Sequence, residues 1–165
     1  MTEENSPIRL LIVDDEEDLA TFLAHRLRKR GLDVTIALSG AEAISAATEL
    51  KFHVAIVDLK LPDLDGITVM EEIKSIQPFL EILMLTGHGS HDSAWEAGRL
   101  QAFRYLLKPF AFDELYDLIL AAAHHRCKKM GCEFEDRLEA LMAGATSPRD
   151  LIEESEKLRR EYEQE

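Results

Sequence analysis

Val54, Ala55, Ile56 and Val57 form an apolar run rich in β-branched side chains, with none of the polar alternation of a half-exposed strand, and it stops at Asp58. Such a run suits a strand buried on both faces of a parallel sheet, which needs helices on either side to cover it. Pro62, Asp65 and Gly66 then turn the chain out of the sheet. A carboxylate at the carboxyl end of a central strand stands where open α/β sheets place their ligand crevice. Taken alone, Asp58 could equally begin a turn or cap a helix. The rest of the chain decides between these readings.

Runs of the same kind recur before and after it. Ile8–Val13 (IRLLIV) is apolar but for Arg9 and ends on Asp14 and Asp15. Leu19, Phe22, Leu23 and Leu27 then recur at helical spacing between Glu16 and Arg30, and Gly31 supplies a stop. A second strand is expected over Val34–Leu38, and Ser39 and Gly40 lead into an Ala-rich helix over Ala41–Leu50. After the strand that ends on Asp58 come a helix over Ile67–Ile76, closed by Pro78, and a strand over Ile82–Leu85 ending on Thr86. Gly87 and Gly89 mark a loop, Ser93–Gln101 a more polar helix, and Phe103–Leu107 a fifth strand followed by Lys108 and Pro109. An amphipathic helix runs from Phe112 to His125 or a little beyond. Five strands alternating with five helices predict a doubly wound α/β fold around a five-stranded parallel sheet.

At 165 residues, 46% hydrophobic, the chain can hold one domain with a small appendage. Gly131 is expected to break the last helix, after which Phe134, Leu138, Leu141 and Met142 mark one amphipathic stretch. Ser147, Pro148 and Asp150 read as an N-cap, a first-turn proline and an acidic third position. Leu151, Ile152, Ser155, Leu158 and Tyr162 follow on one face. The expected organisation is a flexible N-terminus over 1–7, a domain over 8–127 and an acidic helical tail over 128–165.

A formal net charge of -13 argues against a nucleic-acid surface, which needs a basic patch. The first residues, MTEENSPIRL, lack the basic and apolar regions of a signal peptide, and no apolar run approaches membrane-spanning length. Cys127 and Cys132 are too few for a disulfide-stapled scaffold, so a cytoplasmic location is expected, with no membrane or nucleic-acid partner.

In a parallel sheet all strand ends share one edge, so Asp14, Asp15, Asp58, Thr86 and Lys108 are predicted to converge. Carboxylates held together raise one another's proton affinity unless a cation intervenes, and a hard divalent ion such as Mg2+ relieves the repulsion. A lysine and a hydroxyl beside that cation suit an anion. Together these groups describe a phosphoryl site with Asp58 as covalent acceptor.

The same residues resemble a known family, the receiver domain of two-component response regulators. The matching segments are VDDEED from Val13, VDLKLPDLDG from Val57, LTGHG from Leu85 and YLLKPF from Tyr105, in family order and at family spacing, over Ile8 to about Arg126. The resemblance implies a flavodoxin-like sheet of order 2-1-3-4-5. It implies that Asp58 takes a phosphoryl group from a sensor histidine kinase or phosphotransfer protein. Asp15, Asp58 and the backbone carbonyl of Lys60 would ligate Mg2+, with Asp14 supporting through water. Thr86 and Lys108 would bind phosphoryl oxygens, Tyr105 would act as an aromatic switch with Thr86, and the Lys108–Pro109 bond would be cis. Lys60 and His88 occupy positions that tune dephosphorylation in the family. The readout would run to a protein partner or through a homodimer. The latter is expected from the tail, whose narrow stripes (Phe134, Leu138 and Leu141; Leu151, Leu158 and Tyr162) need a partner surface, either a second copy or the domain's own helices. The protein would catalyse only its own phosphoryl uptake and loss.

Rival patterns are weaker. Asp63-Leu64-Asp65-Gly66 resembles the opening of haloacid-dehalogenase-type phosphatases but begins past the strand's end; with Glu72 it mimics part of a calcium loop whose first ligand position would be Leu61. His124, His125, Cys127 and Cys132 match no zinc spacing. A flavin carrier on this fold would want a phosphate loop after the first strand, where DDEED would repel one.

Overall fold

The structure is a computed structural model, and it describes residues 7–87, 102–144 and 147–164. The chain divides into two compact units, one up to His124 and one from His125 onward.

In the first unit, strands β1 (Arg9–Val13), β2 (Asp33–Ala37), β3 (Val54–Asp58), β4 (Glu81–Thr86) and β5 (Arg104–Leu107) form one sheet in the order β2-β1-β3-β4-β5. Every pairing is parallel, and Ile56, for example, lies between Ile12 on one side and Leu83 on the other. Helices α1 (Glu17–Lys29), α2 (Gly40–Glu49) and α3 (Gly66–Ile76) alternate with the strands, and α4 (Phe112–Gly144) begins in this unit. The predicted helix over Ser93–Gln101, and His88, lie outside the described residues. The Lys108–Pro109 peptide bond is cis.

Side chains that alternate along a strand feed opposite faces, and the sheet accordingly separates two cores. Leu10, Ile12, Val54, Ile56, Leu83 and Leu85 pack with Leu23 and Leu27 of α1 and with Leu115 and Ile119 of α4. Leu11, Val13, Ala55, Val57, Ile82 and Met84 pack with Ala43 and Ala47 of α2 and with Val69, Met70 and Ile73 of α3. Residues Val54–Val57 are wholly buried, as an apolar run without alternation requires. At the end of α1, Gly31 takes a φ of 88° while the Leu32 N–H reaches back to the Leu27 carbonyl at 3.2 Å, which stops the helix where glycine placed the stop.

Gln77 is a buried joint that the sequence did not single out. Its Oε1 accepts from the Phe52 N–H at 2.9 Å, and its Nε2 donates to the carbonyls of Ala47 at 2.7 Å and Leu50 at 2.6 Å. One amide side chain therefore closes the C-terminus of α2 and the entry to β3.

The second unit holds the later part of α4 and α5 (Pro148–Glu163). The helix passes through Gly131 instead of breaking there. A mid-helix glycine costs only about 1 kcal/mol against alanine, and helix-favouring Lys128, Lys129 and Met130 precede it. The Ser147 Oγ accepts from the Asp150 N–H at 3.2 Å with Pro148 at the first helical position, as expected of that cap. The Phe134 and Tyr162 rings meet edge to face with centroids 5.4 Å apart, and Arg137 pairs with Glu161 at 3.1 Å. The two stripes thus meet each other. Met142 (61% exposed) and Ile152 (57%) stand off the faces predicted for them. Among the described residues no helix is long and apolar enough to cross a membrane.

Candidate functional site

Backbone hydrogen bonds between neighbouring strands set the site before any side chain does. The Asp14 N–H donates to the Ala37 carbonyl at 3.1 Å, Leu59 to Leu85 at 2.9 Å and Lys108 to Thr86 at 2.8 Å. The ladders therefore continue to the carboxyl ends of the strands, where Asp14, Asp58, Thr86 and Lys108 stand on one edge. Asp14, Asp58 and Thr86 are all buried. Lys108 joins them: its Nζ lies 2.8 Å from Asp58 Oδ2 and 3.0 Å from Asp14 Oδ2. The other oxygens are also engaged, Asp14 Oδ1 by the Glu16 N–H at 2.9 Å and Asp58 Oδ1 by the Lys60 N–H at 3.0 Å.

One ammonium serves two carboxylates out of water, and the proton affinities show the imbalance. Burial pushes the Asp14 carboxyl above its ordinary value, and neither the Glu16 amide nor Lys108 brings it back. Burial works against the charge on Lys108, yet hydrogen bonds to Asp58 and Asp14 outweigh it and hold the ammonium above its usual value. The site wants more positive charge than the chain supplies.

Asp14, Glu16 and Asp58 each offer a carboxylate oxygen within 4.8 Å of the others, and Glu16 Oε1 also lies 3.7 Å from Lys108 Nζ. Asp15, expected among the cation ligands, is exposed and falls outside this group. Glu16 was missed by sequence reasoning, and a signal for it existed. Residues two apart in an extended or turning segment share a side, so Asp14 and Glu16 can face one centre. Three carboxylates and one ammonium leave two negative charges, and oxygen donors of this kind fit Mg2+, which takes one or two carboxylates and keeps several waters.

Tyr105 lies on β5 beside Met84 and packs against the core on the α2–α3 side, with its hydroxyl shielded from solvent. The rival patterns are occupied with structural work. Asp63 accepts from the backbone amides of Gly40 and Ala41, both at 2.9 Å, and Asp65 caps α3 through the Thr68 N–H at 2.9 Å. His124, His125 and Cys127 are exposed, and among the described residues only Asp14, Glu16 and Asp58 come together as possible metal ligands.

This edge belongs to a signalling class. The profile of the response regulator receiver domain matches residues 10–120, and the chain belongs to that family. It is 35% identical over 125 residues to the transcriptional regulatory protein ZraR of Escherichia coli K12, a match covering 76% of this chain and 28% of ZraR. It resembles the solved receiver domain protein of Clostridium thermocellum at 34% identity and a TM-score of 0.67, covering 72% of this chain and 96% of that one. It also resembles the response regulator TrrA of Thermotoga maritima, solved in complex with Mg2+ and BeF, at 27% identity and a TM-score of 0.62, covering 70% and 98%. The chain spans about a quarter of the length of the curated relatives it matches.

Proposed function

We propose that the protein is a phosphorylation-controlled switch that takes a phosphoryl group from a sensor histidine kinase or phosphotransfer protein onto Asp58. The observation that carries this is Lys108, whose single ammonium bridges Asp14 and Asp58 at the ends of β1 and β3. A carboxylate oxygen of Asp58 attacks phosphorus, the bond from phosphorus to the donor nitrogen breaks, and its electron pair leaves with the imidazole. Lys108 then exchanges a carboxylate for the equatorial phosphoryl oxygens, joined by the Thr86 hydroxyl. The residues that would hold Mg2+ are Asp14, Asp15, Asp58 and the Lys60 carbonyl, with Glu16 beside them. When bound, it supplies the positive charge that neutralises the transferring oxygens. TrrA, with Mg2+ in its structure, supports that fit.

In this reading the protein catalyses only its own phosphoryl uptake and loss, and Tyr105 reports the change at Thr86. The relatives are transcriptional regulators in which a domain like this one is about a quarter of the chain, while the net charge of -13 supports an output from these residues to protein, not to nucleic acid. A cytoplasmic setting, where histidine kinases present their phosphoryl groups, goes with the same reading. Incubation with acetyl phosphate and Mg2+ should add one phosphoryl group by intact mass, and Asp58→Asn should abolish it. Full mass shift in that variant would place the acceptor elsewhere. Sustained turnover of a free phosphate ester would instead favour a small phosphatase. A homodimer through the second unit is supported by exposed Met142 and Ile152; a chain that scatters light as a monomer at high concentration, phosphorylated or not, rules it out.

A further inference from the structure

The loop from Leu59 to Asp65 carries the residue next to the chemistry, since the Lys60 N–H donates to Asp58 Oδ1 at 3.0 Å. Its near end is fixed by the sheet, through Leu59 N–H to the Leu85 carbonyl at 2.9 Å, and its return by Gly66 N–H to the Leu59 carbonyl at 2.9 Å. A bridge between Lys60 and Asp65 closes it. The tip is held by Asp63, which reaches across to the start of α2. Asp63 Oδ1 accepts from the Gly40 N–H and from its own neighbour Leu64 at 2.9 Å each, and Oδ2 accepts from the Ala41 N–H at 2.9 Å. The other amides at this helix start have partners of their own: Glu42 donates to Ser39 Oγ at 3.2 Å, and Leu38 to the Glu42 carboxylate at 2.8 Å. The first two helical amides are left for Asp63, which has the right charge for the positive end of the helix. Gly40 permits the approach, because a Cβ there would stand 2.8 Å from Val69 Cγ2 and 3.0 Å from Leu64 Cβ. The Asp63 carboxyl is held below its ordinary value by the Ala41 and Gly40 amides, so the clamp is charged throughout the physiological range.

We infer that Asp63 is a positioning residue for the phosphoacceptor site: by binding the first amides of α2 it fixes the loop so that the Lys60 backbone meets Asp58 and a cation there. The part concerning the cation rests on the proposed function; the part concerning Lys60 and Asp58 does not. Two measurements on the full chain keep them apart. Calorimetric titration with Mg2+ alone compares the wild type, Asp63→Asn and Asp63→Ala. Both variants remove the same charge, but asparagine keeps the Oδ1 acceptor for Gly40 and Leu64. The alanine variant should bind Mg2+ about tenfold more weakly, the size expected for losing an outer support of a metal site, with asparagine between it and the wild type. Equal losses in the two variants would reduce Asp63 to a remote charge, and no loss in either would remove it from the site; each overturns the inference. Hydrogen exchange by NMR at the Lys60 amide gives the second readout, expected to speed up about tenfold in the alanine variant as that hydrogen bond opens more often. If the wild type binds no Mg2+, the cation reading fails, and the Lys60 amide alone decides: acceleration upholds the clamp and an unchanged rate overturns it. Asp63→Ser replaces the alanine variant should that one fail to fold.

Discussion

Gln77→Leu keeps the volume of a buried side chain and deletes its hydrogen bonds, so it isolates what that amide contributes. Three partners lose out: the Phe52 N–H and the carbonyls of Ala47 and Leu50, at 2.9, 2.7 and 2.6 Å. A typical hydrogen bond contributes about 1 kcal/mol net, and a donor or acceptor stranded out of water costs about 1–3 kcal/mol. Gln77 is 3% exposed, so water has little access to replace it. Leucine recovers about 1 kcal/mol through its apolar surface. The expected loss is therefore about 3 kcal/mol, which at a urea slope of about 2 kcal/mol/M lowers the midpoint by about 1.5 M. The companion Gln77→Glu sharpens the test. A protonated carboxyl can still donate to one carbonyl, whereas a carboxylate faces two carbonyl oxygens it can only repel. Its folded pKa is therefore raised, and its contribution is present at low pH and lost as pH rises through that value. Urea denaturation of both variants from pH 4 to 7, followed by far-UV circular dichroism, measures each effect. A leucine variant within about 0.5 kcal/mol of the wild type, or a glutamate variant indifferent to pH, would refute the reasoning.

Gly66→Ala should cost about 1–3 kcal/mol by overpacking, because the new Cβ would press on the Asp58 carbonyl oxygen and stand 2.8 Å from Leu59 Cα, both of them backbone. Acetyl phosphate labelling should slow as well, and a variant matching the wild type in both would show that α3 can back away from β3 freely. Asp14 has a raised pKa in the folded state, so its contribution is complete below 3.8 and is lost as pH rises through the raised value; in Mg2+-free buffer Asp14→Asn should gain on the wild type from pH 4 to 7, and the opposite trend would contradict the site electrostatics. Lys108 has the same sign at the other end of the scale: its stabilisation is present below 10.5 and is lost only as pH rises through its raised value, so Lys108→Met should flatten the alkaline limb of a denaturation series. Mg2+ at millimolar levels should raise the melting temperature by mass action, and Asp15→Ala should stay folded but lose that response; a wild type indifferent to Mg2+ would count against the cation site.

The strands were legible because a parallel sheet covered on both faces leaves no polar alternation, and Val54–Val57 or Ile82–Leu85 can hardly be read otherwise. Their polar ends were legible for the same reason: Asp58 and Thr86 stop apolar runs abruptly, and parallel pairing alone brings them to one edge. Helix starts with side-chain caps were visible too, as at Ser147. What escaped depends on partners far along the chain or on competing small energies. Gln77 meets residues 25 to 30 positions away, and nothing local marks an amide as buried. Asp63 looked like part of a phosphatase or calcium motif, because its partners at Gly40 and Ala41 lie on another helix. Gly131 was overruled by the residues around it, since a cost near 1 kcal/mol does not end a helix that its neighbours favour. Glu16 was passed over between two aspartates and a helix that begins at Glu17.

The sheet that divides the hydrophobic interior also divides the consequences of change. Ile56 and Val57 are adjacent in sequence, yet one packs toward α1 and α4 and the other toward α2 and α3. Substitutions at the two should therefore combine nearly additively, while Ile56 should couple to its same-face neighbours Ile12 and Leu83. A lineage drifting through sequence space could repack one face of this domain while the other stays fixed. Asp58, at the end of the strand both faces share, would keep its place throughout.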